Sequence, residues 1–254
     1  MKPLFKLLAP AVFIIFISSA CSKDNDAGGN TGVGTNTVPD VYKKIYGATS
    51  ITSDGSYITI KTNGTPDHKS IYYPASHSLY ENFSGITFGG YTFAKNPNTI
   101  SSQNYTFKIP LNPAVSSTHS ATPLGPIGVS LNGVPFFNQY AGPSQPLTNE
   151  IRSFDQYWGH PQQTGGYHYH VEPLYLTTVK VSKSALLGFL LDGFPVYGPE
   201  ENGAAVTNAM LDAYHGHTHA TTDFPNGIYH YHITGNDPYI NGSGFYGTPG
   251  TVTQ

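Results

Sequence analysis

From about residue 42 onward, hydrophobic and polar residues alternate in short runs. Residues 56–61 read Ser-Tyr-Ile-Thr-Ile-Lys, and residues 105–109 read Tyr-Thr-Phe-Lys-Ile. An alternation with a period of two places every second side chain on the same face, which predicts half-buried β-strands. Asn63-Gly64 predicts a turn after the first run, with an extended segment resuming at 70–73.

The helical signal along the chain is weak. The sequence contains 28 glycines and 20 prolines, and its best helical candidates are the short segments 182–187 and 204–213. We therefore expect a mainly β fold, a β-sandwich or barrel-like domain with short helices in its loops.

A second pattern is an internal repeat. Residues 167–170 read Tyr-His-Tyr-His, and so do residues 229–232. Each copy follows an Asn/Asp-Gly-x-Pro segment, at 132–135 and 192–195, and then an Asp-x-Tyr-x-Gly-His segment, at 155–160 and 212–217. The same order of segments in both copies predicts a duplication of about 60 residues, with repeats at about 125–180 and 185–245 packed around a pseudo-twofold axis.

Each repeat offers three histidines in one pattern. Successive side chains of a strand point to opposite faces, so each Tyr-His-Tyr-His copy places its two histidines on one face and its two tyrosines on the other. Neutral imidazole is a ligand of zinc and copper, and a loop could return the histidine of the Gly-His segment to the same strand. The predicted metal ligands are His160, His168, His170, His217, His230 and His232.

Three possibilities remain open for these histidines. They could form two three-histidine sites, or they could meet near the axis in one shared or paired-metal site. Alternatively, each imidazole could be held by backbone groups or tyrosine hydroxyls in a purely structural role.

Other residues are secondary candidates, either as additional ligands or as supports for the ligands. Asp155 and Asp212 could hold a ligand histidine through its second nitrogen, or could simply cap a turn. Glu172 could act as a general base, although Thr234 stands in its place in the second repeat. The secondary candidates for the metal sites are Asp67, His68, Asp155, Asp212, His215 and His219.

Composition excludes several kinds of site. Charged residues make up 11% of the chain, its net charge is −3, and Arg152 is its only arginine, so we expect no nucleic-acid partner. Cys21 is the only cysteine, which excludes an intramolecular disulfide and a zinc site built on thiolates. Any metal must therefore bind nitrogen and oxygen ligands.

The amino-terminal segment predicts export and lipidation. Lys2 and Lys6 precede an apolar run at 7–17, and Ser18-Ser19-Ala20 leads into Cys21. We expect a lipoprotein signal peptide at 1–20, a lipidated Cys21 with a flexible tether at 21–40, and one domain at 41–254. We expect the protein in the bacterial cell envelope, as an outer-membrane lipoprotein that is either exposed at the cell surface or not. An ordinary signal peptide with an incidental cysteine is the alternative.

The chain resembles the bacterial YHYH-domain proteins over about residues 50–250. The matching segments are Gly-Thr-Pro-Asp-His at 64–68, Gly-Val-Ser-Leu-Asn-Gly-Val-Pro at 128–135, Leu-Asp-Gly-Phe-Pro-Val-Tyr-Gly-Pro at 191–199, and both Tyr-His-Tyr-His copies. The resemblance implies the kind of domain and leaves its reaction open. This chain also carries His215, His217 and His219 before the second copy, where members of that family often have a cysteine or another residue.

Three functions follow from these patterns. The preferred one is a cell-envelope lipoprotein that binds copper or zinc for metal capture or buffering. The second is a metal-dependent enzyme, a hydrolase or an oxidase with a three-histidine site, so whether the protein is an enzyme stays open. The third is a glycan-binding or adhesion module with structural histidines and stacking tyrosines.

Overall fold

The computed structural model describes residues 36–254, so the predicted signal peptide and Cys21 lie outside the described residues. A single-turn α-helix, α1, spans Asp40–Lys43. Single turns of 3₁₀-helix lie at Phe88–Gly90, Leu147–Asn149, Ile151–Ser153 and Asn208–Met210, and one π-turn lies at Leu176–Lys180. The strands are β1 (Ser50–Ser53), β2 (Tyr57–Thr62), β3 (Tyr105–Pro110), β4 (Pro126–Ser130), β5 (Pro135–Phe137), β6 (Tyr140–Ala141), β7 (Gln145–Pro146), β8 (Gly159–Pro161), β9 (Tyr167–Tyr169), β10 (Leu186–Leu190), β11 (Pro195–Tyr197), β12 (Glu200–Glu201), β13 (Ala204–Ala205), β14 (Gly216–His219), β15 (Ile228–His232) and β16 (Thr251–Thr253).

Two main sheets make up the domain. One has four strands in the order β1-β2-β3-β16, and the other has eight strands in the order β14-β15-β11-β10-β4-β5-β9-β8. Two short ribbons, β6-β7 and β12-β13, complete the strands of the described residues. The fold is therefore mainly β, as predicted, and the eight-stranded sheet is open rather than closed into a barrel.

The eight-stranded sheet has the same sequence of pairings from its centre to either edge. β4 and β10 pair antiparallel at the centre, and each forms a hairpin with the next strand, β5 or β11. The hairpin strands pair in parallel with the Tyr-His-Tyr-His strands, β9 and β15. The edge strands β8 and β14 then pair antiparallel with them. This arrangement matches the predicted pseudo-twofold halves, and a common origin of the two halves stays a prediction.

The two hairpins turn at the repeated Asn-Gly and Asp-Gly pairs. Gly133 and Gly193 have φ values of 80° and 86°, a region that favours glycine because a Cβ there would clash with the backbone. The first turn contacts the four-stranded sheet through the Thr62 hydroxyl, which donates to the Gly133 carbonyl at 2.9 Å. These turns therefore have the fold-building role that their composition predicts.

The larger of the two hydrophobic core clusters in the described residues brings together the four-stranded and the eight-stranded sheets. It includes apolar residues of β2 and β3, such as Ile58 and Phe107, together with residues of β4 and β10, such as Val129 and Phe189. All four tyrosines of the repeated motifs belong to this core. The opposite face of the motif strands carries the histidines.

Some local predictions differ from the structure. Segment 182–187 forms a turn and the start of β10, and segment 204–213 contains β13 and one 3₁₀ turn, so neither is an α-helix. Both segments are too short to stabilise an isolated helix, and strand pairing satisfies their backbone groups. Segment 70–73 forms only an isolated bridge between Ser70 and Tyr80.

Among residues 36–254, no helix has the length and apolar character needed to cross a membrane.

Candidate metal centre

The strand register brings the third histidine of each repeat beside its motif strand. His160 on β8 lies directly opposite His168 on β9, and His217 on β14 lies directly opposite His230 on β15. Side chains opposite each other on paired strands point to the same face. In the structure, the histidine of each Gly-His segment therefore lies beside its own motif strand, as the sequence predicts.

The first cluster consists of His160, His168 and His170, which are all buried. The Nε2 atom of His168 lies 3.0 Å from the Nε2 atom of His160 and 3.0 Å from that of His170. All three Nε2 atoms therefore point to one small volume.

Hydrogen bonds to the other ring nitrogens orient these imidazoles. The Nδ1 atom of His168 donates to the Gly166 carbonyl at 3.1 Å, and that of His170 donates to the Asn138 carbonyl at 2.5 Å. His160 Nδ1 lies 2.6 Å from the Ser153 hydroxyl, whose own proton goes to the Glu150 carbonyl at 2.8 Å. Because carbonyl oxygens only accept, each Nδ1 carries the proton and each Nε2 presents a lone pair.

Burial keeps these imidazoles neutral. It lowers the pKa of His160 and His168 well below the usual histidine value, with the neighbouring histidines lowering it further. Burial lowers the pKa of His170 to about 4. A proton shared between two rings is therefore disfavoured at neutral pH.

Three converging lone pairs without a shared proton repel one another unless a cation lies between them. Zinc bound to nitrogen at about 2.0–2.1 Å in a tetrahedron separates its ligand nitrogens by about 3.3 Å. The observed 3.0 Å separations are close to that value. The geometry of the first cluster thus suits one transition-metal ion.

The second cluster consists of Glu201, His217, His219, His230 and His232, whose ligand atoms all lie within 4.8 Å of one another. The Nε2 atoms of His217 and His219 are 3.1 Å apart. Glu201 Oε1 lies 3.7 Å from His217 Nε2 and 3.9 Å from His232 Nε2, and it directly contacts His219 Nε2.

Three of the four histidines of the second cluster have the same tautomer as those of the first. The Nδ1 atoms of His219, His230 and His232 donate to the carbonyls of Ala220, Ile228 and Gly198 at 2.8, 3.0 and 2.8 Å. The buried Nε2 atoms of His230 and His232 have no hydrogen-bond partner. Burial, the largest cause, lowers the pKa of His230 to about 3 and that of His232 to about 4. A cation is the partner that these lone pairs and the Glu201 carboxylate lack.

The tyrosines on the other face of each motif strand hold that strand to the core. The Tyr167 hydroxyl donates to Asp155 at 2.9 Å, and the Tyr229 hydroxyl donates to Asp212 at 2.9 Å. A Cβ at Gly159 would lie 2.5 Å from the Tyr167 hydroxyl. The glycine before each Gly-His histidine therefore leaves room for the tyrosine of the neighbouring strand, and Gly216 does the same for Tyr229.

A family model described as YHYH protein matches residues 106–208 and 200–244. These two matches span more than half of the chain. The chain belongs to the YHYH protein family. The first YHYH match contains the histidines of the first cluster and the second contains all of the second cluster, whereas residues 50–105 of the predicted resemblance lie before the matched region. No curated protein and no solved structure matches the chain significantly.

Asp67 and His68 lie outside both YHYH histidine clusters. His68 Nε2 lies 3.1 Å from the Tyr169 hydroxyl, on the tyrosine face of β9. Asp67 accepts from Asn132 at 3.1 Å and pairs with Lys180 at 3.0 Å. The structure does not bring Asp67 and His68 to either histidine cluster, because both lie on the tyrosine side of β9.

Asp155, Asp212 and His215 also serve other contacts. Both aspartates hydrogen-bond tyrosine hydroxyls rather than ligand imidazoles, and Asp155 is fully buried. His215 Nε2 contacts the Thr234 hydroxyl at 3.1 Å, outside the second cluster. The ligand-orienting role predicted for the aspartates falls instead to backbone carbonyls and Ser153.

Two carboxylates near the clusters were missed by sequence reasoning. Glu201 belongs to the second cluster, and Glu150 Oε2 lies 3.6 Å from His160 Nε2 and 3.9 Å from His170 Nε2. They occupy different places in the two repeats, so the repeat pattern carries no signal for them. Glu172, the predicted base, instead accepts a hydrogen bond from Thr177.

A cavity adjoins each cluster. The cavity beside the first cluster has a volume of about 620 Å³ and is lined by its three histidines and Glu150. The cavity beside the second cluster has a volume of about 860 Å³ and is lined by Glu201, His219, His230 and His232. A small molecule could therefore approach either cluster.

Proposed function

We propose that this YHYH protein is a cell-envelope lipoprotein that binds copper or zinc at two separate histidine centres, for metal capture or buffering. The observation that carries the proposal is the convergence of unprotonated Nε2 atoms in two places. A structural role for the histidines would need a hydrogen-bond donor for each Nε2 atom, and His230 and His232 have none among the described residues.

The chemistry of the donors favours copper or zinc over harder cations. Imidazole nitrogens dominate both clusters, whereas calcium and magnesium prefer oxygen ligands. Two clusters at opposite ends of one sheet support two separate sites rather than a shared one. The lipid anchor at Cys21 rests on the sequence alone.

Metal content tests the proposal. We expect the purified protein, loaded with zinc and freed of excess ion, to hold one ion per cluster, about two per chain by elemental analysis. The double variant His168→Ala, His170→Ala and the double variant His230→Ala, His232→Ala should each hold about one.

His77→Ala is the matched control, because His77 is exposed and belongs to neither cluster. It should keep the full metal content. Undiminished zinc in both double variants would contradict binding at these centres.

A further inference from the structure

We propose that the two centres differ in function: the first activates water to hydrolyse an uncharged carboxylic ester, with Glu150 as proton acceptor, and the second only holds its metal. This inference rests on the proposed metal binding. It follows from what the two repeats place at equivalent positions around each centre.

Two donors of the second cluster have no counterpart at the equivalent sequence positions of the first repeat, although Glu150 approaches the first cluster from another position. His219 follows the Gly-His histidine by two residues, and Gln162 stands at that position in the first repeat, where it donates to Thr164 at 3.0 Å. Glu201 lies three residues after Gly198, whose carbonyl orients His232, and Ala141 stands at the same distance from Asn138, whose carbonyl orients His170. The second centre therefore has four imidazoles and a carboxylate, and the first has three imidazoles.

Three protein ligands leave a fourth position of a tetrahedral metal open to water or substrate. The first cluster is buried except toward its cavity, so the open position faces that cavity. The second cluster also borders a cavity, but its five donors can fill the coordination sphere of one ion. An exogenous ligand should therefore reach the metal at the first centre only.

Glu150 has the position of a proton acceptor rather than a ligand. Its Oε2 atom lies 3.6 and 3.9 Å from the Nε2 atoms of His160 and His170, as Glu201 Oε1 lies 3.7 and 3.9 Å from those of His217 and His232. Glu201 also directly contacts His219 Nε2, whereas Glu150 is not among the groups whose ligand atoms all lie within 4.8 Å of one another. Glu150 nevertheless lines the cavity beside the histidines. A carboxylate that lines the cavity beside the three imidazoles suits general base catalysis.

The cavity lining indicates the class of substrate. Apart from the histidines, its only charged residues are Glu150 and Arg152, and its other polar groups are mostly side-chain amides such as Asn96, Asn98 and Gln162. Amides recognise neutral polar groups, and no cluster of cations is present in this lining to bind an anion. The lining therefore fits an uncharged polar substrate such as a carboxylic ester.

The reaction is a balanced hydrolysis. Water at the open position gives a proton to Glu150 while its oxygen bonds to the ester carbonyl carbon. The bond from that carbon to the leaving oxygen then breaks, and Glu150 returns the proton to the leaving oxygen. The products are a carboxylic acid and an alcohol, and nothing is oxidised or reduced.

Cobalt(II) spectroscopy tests access to each centre. The variant His230→Ala, His232→Ala retains the first cluster, and the variant His168→Ala, His170→Ala retains the second. With cobalt(II) bound, azide should change the visible absorption of the former and leave that of the latter unchanged. If azide leaves the visible absorption of cobalt bound at the first centre unchanged, this inference is overturned and the proposed metal binding is not. Absence of cobalt from both variants and from the unaltered protein would overturn the proposed metal binding as well.

The variant Glu150→Gln tests whether Glu150 accepts the proton, because it leaves every predicted metal ligand in place. The zinc-loaded variant should retain its zinc and lose about 100-fold or more of the hydrolysis rate of p-nitrophenyl acetate. Glu81→Gln, at an exposed residue away from both clusters, is the matched control and should keep the rate.

Three outcomes would overturn the assignment. Loss of zinc from Glu150→Gln would make Glu150 a ligand. An unchanged hydrolysis rate in that variant would remove it from the reaction. Hydrolysis of p-nitrophenyl phosphate without hydrolysis of the acetate would contradict the substrate class.

Discussion

At the scale of single residues, the property that matters is which ring nitrogen carries the proton. Carbonyl oxygens of Gly166 and Asn138 accept from the Nδ1 atoms of His168 and His170, so the Nε2 atoms are free to bind a cation. His160 differs, because its Nδ1 partner is the hydroxyl of Ser153. The Ser153 hydroxyl is the only one of these three orienting groups that belongs to a side chain, so a point mutation can remove it.

We expect Ser153→Ala to weaken zinc binding at the first centre by about 10- to 100-fold, since loss of a partner that orients a ligand histidine typically has that effect. Competition with a chromophoric chelator measures the affinity. Ser56→Ala is the control, because Ser56 is exposed and far in sequence from the cluster. An affinity unchanged in Ser153→Ala would show that the hydroxyl does not orient His160.

At the scale of the strand, each Tyr-His-Tyr-His segment carries its histidines on one face and its tyrosines on the other. Its histidines face a cluster, and its tyrosines enter the core and hydrogen-bond aspartates or a side-chain amide. The Tyr231 hydroxyl donates to Asp192 at 2.6 Å and accepts from the Tyr246 amide at 2.7 Å. Burial raises the pKa of Asp192 to about 6, while the hydrogen bonds from Tyr231 and from backbone amides oppose that rise. The tyrosine thus fixes the strand on which His230 and His232 lie.

Tyr231→Phe should destabilise the fold by about 1–3 kcal/mol, because it removes a buried hydrogen bond to a carboxyl and leaves the Tyr246 amide without its partner. Urea unfolding of the metal-free protein measures the change. Tyr57→Phe, at a tyrosine that is 37% exposed, should change the free energy of unfolding by less than about 0.5 kcal/mol. Equal effects of the two substitutions would argue against the strand-fixing role.

At the scale of the whole molecule, the buried histidines couple stability to pH. Seven buried histidines and the half-buried His217 have a lowered pKa in the folded protein, chiefly through desolvation: His68, His160, His168, His170, His215, His217, His230 and His232. In the unfolded chain they take up protons near pH 6.5. Their contribution to stability is therefore complete above that pH and is lost as the pH falls toward their folded values, about 4 for His170 and His232.

The metal-free protein should accordingly become less stable as the pH falls from 7 to 5. Buried carboxyls with a raised pKa oppose this trend, but Glu150, Asp155, Glu172 and Asp192 are fewer than the histidines. Urea midpoints across this range provide the measurement, and excess zinc at pH 7 should raise the midpoint because it binds only the folded state. A midpoint that stays constant or rises toward pH 5 in the metal-free protein would contradict the coupling.

The sequence by itself determined the β character of the domain, the turns at 132–133 and 192–193, and the three repeated histidines of each cluster. These follow from local rules, because strand alternation assigns neighbouring side chains to faces and a repeated spacing repeats the geometry. Only the tertiary structure decided that the six repeated histidines lie in two clusters at opposite ends of one sheet and that His219 and Glu201 join the second. It also decided that Glu150 lies beside the first cluster and that Asp155 and Asp212 bind tyrosines. Such contacts join residues that are distant along the chain or lie on opposite faces of a strand, and their distances depend on how loops and sheets pack rather than on any local pattern.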